Sequence, residues 1–322
     1  VSTQSRRLGR SDIELTPVGL GTWQFSKGRG LVGGFWKSLD DEATTAVVAA
    51  SLERGVSWFD TAEIYGRGES ERSLARALTT LKVTPGSVRI ATKWWPMLRT
   101  AGNIPRTIDE RLECLSPWAI DLYQIHQPFS LSSVAKQIDA MGDLVEAGKV
   151  GSVGVSNFSA NAMEEAHAVL ARRGIPLVSN QVRISLLDRS IERNGVLEAA
   201  RRLGITLIAY SPLAQGVLTG RFHDDPAAVA SVSWGRRVSG SLGPAALKRT
   251  RPLVEELQRI AAAHGATPSQ VALSWVVSFW GDVVVAIPGA SKPSQATEAA
   301  AAMNLDLGRD ELERLDRLSR QT

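Results

Sequence analysis

Apolar residues along this chain follow two rhythms in alternation. Short runs, among them 56–59, 88–92, 121–125, 150–155, 177–181, 206–210 and 283–287, have the length and β-branched content of strands buried on both faces. Between them lie longer stretches with the i, i+3, i+4 spacing of amphipathic helices. That spacing predicts helices over 41–54, 70–81, 107–115, 132–147, 159–173, 191–203, 245–264, 268–279, 293–302 and 307–320. Gly55, Gly148, Gly174 and Gly204 stand where four of these should stop. Thr107 with Glu110, and Thr267 with Pro268 and Gln270, read as helix starts closed by capping boxes.

Leu20 to Trp23 reads as the end of a first strand, and Leu8 to Val18 as a small hairpin ahead of it. Eight strand–helix units with no break in composition predict an α/β protein. Its expected form is a closed (β/α)8 TIM barrel, a single domain over residues 1–322, with an N-terminal β-hairpin and extra helices. A doubly wound open sheet is the alternative that the same alternation allows.

Composition narrows the partners more than the fold. The chain has 322 residues, 43% hydrophobic and 22% charged, enough to bury a large core and ordinary for a globular protein. One cysteine, Cys114, excludes a disulfide framework, and with four histidines it leaves little for a metal, so none is expected. The N-terminus is polar and no apolar run is long enough for a membrane span, so a cytoplasmic protein with no membrane partner is expected. The net charge of +4 leans towards anionic ligands. Its densest clusters, Arg236-Arg237 and Lys248-Arg249, lack interleaved aromatics and read as solvated surface rather than a nucleic-acid site. Oligomeric state is not legible.

In a barrel the C-terminal strand ends share one face, where sites are built. The polar residues expected there are Asp60, Lys93, His126, Ser156-Asn157, Asn180-Gln181 and Tyr210-Ser211, with Tyr65 in the loop beside Asp60. Singly, each has an ordinary structural reading as a salt bridge, a packed ring or a hydrogen-bonded histidine. Together they suit proton donation by a phenol. A tyrosine with a pKa of about 10 is a poor acid at neutral pH. A neighbouring ammonium, oriented by the Asp60 carboxylate, is expected to lower that pKa, and a histidine can hydrogen-bond the same centre. Gly28-Arg29-Gly30-Leu31-Val32-Gly33 matches a dinucleotide-binding pattern. However, Phe35, Trp36 and Lys37 separate it from the next helix, so it reads as a mobile glycine-rich loop over a pocket.

These segments resemble the aldo-keto reductase family over nearly the whole chain. Asp60-Thr61-Ala62-Glu63-Ile64-Tyr65-Gly66, Ala91-Thr92-Lys93 and Asp121-Leu122-Tyr123-Gln124-Ile125-His126 are similar to the segments carrying that family's tetrad. The resemblance implies NADPH-dependent reduction of an aldehyde or ketone. Tyr65 would be the general acid, Lys93 and Asp60 its tuning pair, and His126 the group orienting the carbonyl. It also implies a cofactor site. Ser156, Asn157 and Gln181 would take the nicotinamide carboxamide, Tyr210 would stack on the ring, and Gly21 and Thr22 would lie alongside. Ser211, Leu213, Gln215 and Gly216 would line the pyrophosphate. Gly289, Ser291, Lys292, Gln295 and Glu298 would lie at the adenosine end, with Lys292 favouring NADP over NAD. Ala299 departs from the family's usual Asn. Trp23, Phe25, Trp94, Trp95 and Phe129 follow strands on this face and read equally as a substrate pocket or as core; Trp234 lies in the long loop 211–243, which is expected to fold over ligand and bring it to the substrate pocket. Two alternatives stand beside this reading: a cofactor-binding regulatory protein like the family's channel-associated subunits, and a barrel using Lys93 as a Schiff-base lysine.

Overall fold

A computed structural model describes residues 5–30, 33–232 and 242–322, and in it eight parallel strands stand side by side in chain order. They are β3 (Leu20–Gly21), β4 (Trp58–Asp60), β5 (Arg89–Trp94), β6 (Leu122–Ile125), β7 (Ser152–Ser156), β8 (Leu177–Arg183), β9 (Thr206–Tyr210) and β10 (Val284–Ile287). Bridges Val18↔Ala286 and Gly21↔Gly289 join the first strand to the last and close the barrel. The fold is the expected TIM barrel surrounded by helices. Strands buried on both faces need no polar alternation, which is why Val284-Val285-Ala286-Ile287 is apolar throughout. Among the described residues no helix is long and apolar enough to cross a membrane.

The main core lies between strands and helices. A smaller cluster near the strand starts joins Trp58, Val178, Ile208 and Val285 to Leu8 and Leu15. Those leucines belong to the antiparallel hairpin of β1 (Arg6–Arg7) and β2 (Glu14–Leu15), which covers that end. Its turn is packed so closely that a Cβ on Gly9 (φ +55°) would stand 2.5 Å from the Val178 carbonyl. The opposite end, where the strands finish, is left for chemistry.

Two helices differ from the pattern. The helix expected from Thr107 begins at Ile104, with Pro105 in its first turn, and the Thr107 hydroxyl donates to the Asn103 carbonyl instead of capping. Fully buried Ile104 and Ile108, one turn apart, draw the earlier residues into the helix. The helix expected over 191–203 is divided: a 3-10 turn, Ser190–Glu192, precedes helix Val196–Leu203. Gly195, at φ +78°, breaks the run there, and the Asn194 carboxamide oxygen accepts from the Val196 amide. The capping box at Thr267 and Gln270 forms as the sequence predicts.

Beneath the open end, Glu71 on helix Glu69–Thr80 ties three elements together. It receives Arg111 Nη1 of helix Ile104–Leu115 at 2.8 Å and the Thr92 hydroxyl of β5 at 2.6 Å. Burial pushes its carboxyl up to about 7, against the pull of Arg111 and Thr92. The folded state therefore holds this proton more tightly than the unfolded chain. The resulting stability is fully present below a pH of about 4.5 and lost as pH rises through about 7. In urea unfolding, the stability of the parent relative to Glu71→Gln should fall by about 3 kcal/mol across that window. A pH-independent difference would contradict the raised carboxyl.

Candidate active site

Strand periodicity sets the site. Lys93 points into the barrel and is wholly buried, so its neighbour Trp94 must face the helices; Trp94 is core, with its indole N–H on Asn103 Oδ1 at 3.1 Å. This corrects the placing of Trp94 in a pocket. Phe25 is corrected likewise: it lies in the 3-10 turn Trp23–Ser26 and is fully buried in the main core.

Inside the barrel, Lys93 Nζ donates to Asp60 Oδ1 at 2.5 Å and to the Thr61 carbonyl at 2.8 Å. The second Asp60 oxygen accepts from Gln181 Nε2 at 2.9 Å and from Gln124 Nε2 at 3.3 Å. The pair is buried, with its charge balanced internally. Burial lowers the Lys93 pKa, and contact with Asp60 opposes that. Gln181 thus serves the ion pair as well as lining the cavity above it.

Tyr65 stands above this pair. Its loop is pinned from both sides: Gly66 (φ +71°) lies where a Cβ would come within 2.6 Å of the Ser26 carbonyl, and the Ser70 amide donates to the Tyr65 carbonyl at 3.1 Å. The Tyr65 ring stacks on Trp23 at 5.7 Å, and Trp23 stacks on Phe35 at 4.9 Å. On its other side Tyr65 meets the His126 ring edge-on at 5.7 Å, and Lys93 Nζ lies 5.3 Å from the Tyr65 centroid. Contrary to the sequence expectation, the phenol pKa rises. Burial is the main cause, and Asp60 and Tyr210 add to it, because the Lys93 charge is already compensated by Asp60. At neutral pH Tyr65 is therefore an O–H. His126 follows β6 directly; burial and then Lys93 hold its pKa well below the ordinary range, so its ring is neutral. No protein group among the described residues bonds its Nδ1.

The space over these residues is a cavity of about 940 Å³. At one end it is walled by Trp23, Tyr65, Trp95 and His126, with Phe35, Trp36, Lys37 and Gln127 beside them. The glycine-rich loop thus brings its aromatic pair to the wall. Lys27 and Arg29 of that loop reach Glu69 at 3.5 and 3.0 Å. The wall continues through Gly21, Thr22, Ser156, Asn157, Gln181 and Tyr210. Here the Tyr210 hydroxyl donates to Asn157 Oδ1 at 3.0 Å, and the Ser156 hydroxyl to the Gln181 carbonyl at 2.9 Å. Ser211, Leu213, Gln215 and Gly216 come next; positive φ at Ser211, Ala214, Gln215 and Gly216 bends this loop sharply, a backbone arrangement typical of ligand-binding sites.

The far end holds Gly289, Ser291, Gln295 and Glu298, with Ala299. Glu298 accepts the Thr267 hydroxyl at 2.5 Å, and Gln295 Oε1 accepts the Ser291 amide at 2.8 Å. Lys292 is not on the wall. It is exposed at the N-terminus of helix Pro293–Ala301, next to Ser291. Phe129 is also outside the cavity, on its rim against Trp95, and Trp234 lies outside the described residues. Sequence reasoning missed Gln24, Gln124, Gln127, Arg183 and Arg221. Of these Gln124, two residues before His126, and Arg183, two residues after Gln181, carried a signal, each lying on the same strand face as a predicted residue. A long cavity with a bent, glycine-containing loop midway and a helix N-terminus at one end fits a nicotinamide dinucleotide.

The Aldo/keto reductase family model matches residues 17–320, and the chain belongs to that family. An uncharacterised oxidoreductase of Mycobacterium tuberculosis is 38% identical over 299 residues, covering 91% of this chain and 86% of that protein. The chloroplastic pyridoxal reductase of Arabidopsis thaliana is 30% identical over 324 residues, covering 96% and 85%. Among solved structures, glycerol dehydrogenase of Gluconobacter oxydans superposes with a TM-score of 0.84 at 26% identity, covering 100% of this chain and 97% of that one. A thermostable aldo-keto reductase solved with the inhibitor epalrestat gives 0.77 at 29% identity, covering 98% and 99%.

The buried pair is testable without any ligand. Asp60→Asn strands an ammonium inside the barrel and should lower the free energy of urea unfolding by about 3–5 kcal/mol. Adding Lys93→Met should restore most of that loss. Additive losses in the double variant would contradict the coupling.

Proposed function

We propose, from membership of the aldo/keto reductase family and the geometry around Tyr65, that this chain reduces aldehydes or ketones to alcohols with NADPH. The observation that carries the reading is the Tyr65 phenol on the cavity wall, held between Trp23 and neutral His126, above the Lys93–Asp60 pair. Bound NADPH supplies a hydride to the carbonyl carbon. Neutral His126 donates a ring N–H to the carbonyl oxygen and sets its direction. Tyr65 then delivers its proton to that oxygen as the carbon is reduced. Lys93, 5.3 Å from the ring centroid and fixed by Asp60, lies beneath the phenol, and the buried pair would position that acid rather than ionise it.

Ser156, Asn157 and Gln181 would hold the carboxamide end, Tyr210 the face of the ring, and the 211–216 loop the pyrophosphate. Glu298 and Gln295 would meet the adenosine. The cation at Lys292, beside a helix N-terminus whose dipole favours anions, supports NADP over NAD. The rings of Trp23, Trp36 and Trp95 support an apolar or aromatic carbonyl compound. The matched relatives named above are oxidoreductases and reductases, which supports turnover over a purely regulatory role.

Loss of nicotinamide absorbance with a panel including pyridoxal, glyceraldehyde, benzaldehyde and aliphatic aldehydes tests the activity. Tyr65→Phe should cut kcat by about a thousandfold and leave NADPH affinity within about threefold. Unchanged turnover would remove the acid role. Lys292→Ala should weaken NADPH about tenfold while sparing NADH. Equal losses would mean that Lys292 does not read the 2′-phosphate.

A further inference from the structure

The large hydrophobic side chains exposed among the described residues gather on two neighbouring loops. Met97 (45% exposed) and Leu98 (82%) follow β5; Phe129 (45%) and Leu131 (67%) follow β6. The two loops are fastened to each other. The Leu131 amide donates to the Arg99 carbonyl at 2.9 Å, the Ser130 hydroxyl to the same carbonyl at 2.8 Å, and the Ala101 amide to Ser132 Oγ at 2.9 Å. Glu63, from the Asp60–Tyr65 loop, anchors them to the site by accepting the Trp95 amide at 2.6 Å and Arg99 Nη1 at 2.5 Å. Leu98 has φ +57°, a region that a branched side chain rarely occupies. A strained backbone that holds a leucine out in water points to use of that side chain.

The patch is continuous with the cavity. His126 meets Trp95 edge-on at 5.2 Å, and Trp95 meets Phe129 edge-on at 5.9 Å. Trp95 and Gln127 line the cavity, and Phe129, outside it, packs on Trp95 and continues the apolar surface towards the leucines. We propose that Met97, Leu98, Phe129 and Leu131 form a shelf that binds the apolar tail of the substrate, making this an enzyme for carbonyl compounds with an extended hydrocarbon or aryl tail. This rests on the carbonyl-reductase reading above and names the substrate class for it. Continuity with the residues around the reacting oxygen favours a substrate tail over a second protein, because a tail anchored by its carbonyl beside His126 leaves the cavity past Trp95.

The test compares kcat/KM for propanal, hexanal and decanal in the parent and in the Leu98→Asn/Leu131→Ser variant. Asparagine tolerates the left-handed backbone, so the fold is not at risk from that change. In the parent, each methylene that reaches the shelf should raise kcat/KM about twofold to fourfold. In the variant the decanal-to-propanal ratio should fall at least about tenfold. An unchanged ratio overturns the shelf, and all the more so if sedimentation shows a parent dimer that the variant abolishes, which would assign the patch to a second copy. Calorimetric binding of decan-1-ol needs no turnover. If no aldehyde is reduced but decanol binds the parent and not the variant, the shelf stands and the carbonyl chemistry fails. If decanol binds both alike, the shelf is wrong whatever the chemistry.

Discussion

Lys93 and Asp60 can occupy the inside of this barrel only together. Either charge alone would face a large desolvation cost, whereas in the pair each charge answers the other, with the Thr61 carbonyl accepting from Lys93 and Gln124 and Gln181 donating to the second carboxylate oxygen. Several features of the open end follow from that constraint. Asp60 must finish β4 and Lys93 must face inward on β5, so the two strands are held in register beside the loop that carries Tyr65. Burial beside the pair keeps the phenol protonated, and burial together with the Lys93 charge keeps the neighbouring histidine neutral. Such a site begins its cycle with a proton to give.

The same strand alternation explains what sequence could and could not show. A period of two puts Lys93 inside and Trp94 outside, so the fate of Trp94 was legible once β5 was extended by two residues; a strand ended at Thr92 hid it. The barrel itself was readable because eight apolar runs alternate with helical stretches, four of them stopped by glycine, with no break in composition. Tyr65, Asp60, Lys93 and His126 were readable as a group, since strand ends converge by topology. Their electrostatics were not: the direction of the Tyr65 shift is set first by how deeply the ring is buried and then by the nearby Asp60, and only the folded structure gives both.

Loops were less legible, for physical reasons. Phe35 and Trp36 line the cavity, and Lys27 and Arg29 contact Glu69 about forty residues away, neither of which any local pattern announces. Phe25 is two residues from Trp23 yet buried, because a 3-10 turn rather than a strand follows Thr22. Glu71 and Arg111, forty residues apart, carry no local signal of pairing, yet they form a buried clamp between two helices and β5. The exposed apolar residues on the β5 and β6 loops carry no periodicity, so their gathering into one patch emerges only from the fold.

The most direct measurement is the fate of the hydride. NADPH deuterated at the transferring position of nicotinamide C4 would be incubated with the protein and an aldehyde in ordinary water, and the alcohol examined by NMR. One deuterium on the carbinol carbon, with the hydroxyl proton drawn from solvent, is the expected result. Deuterium-free alcohol, or bound NADPH that survives with the aldehyde unchanged across a broad panel, would contradict hydride transfer within this cavity.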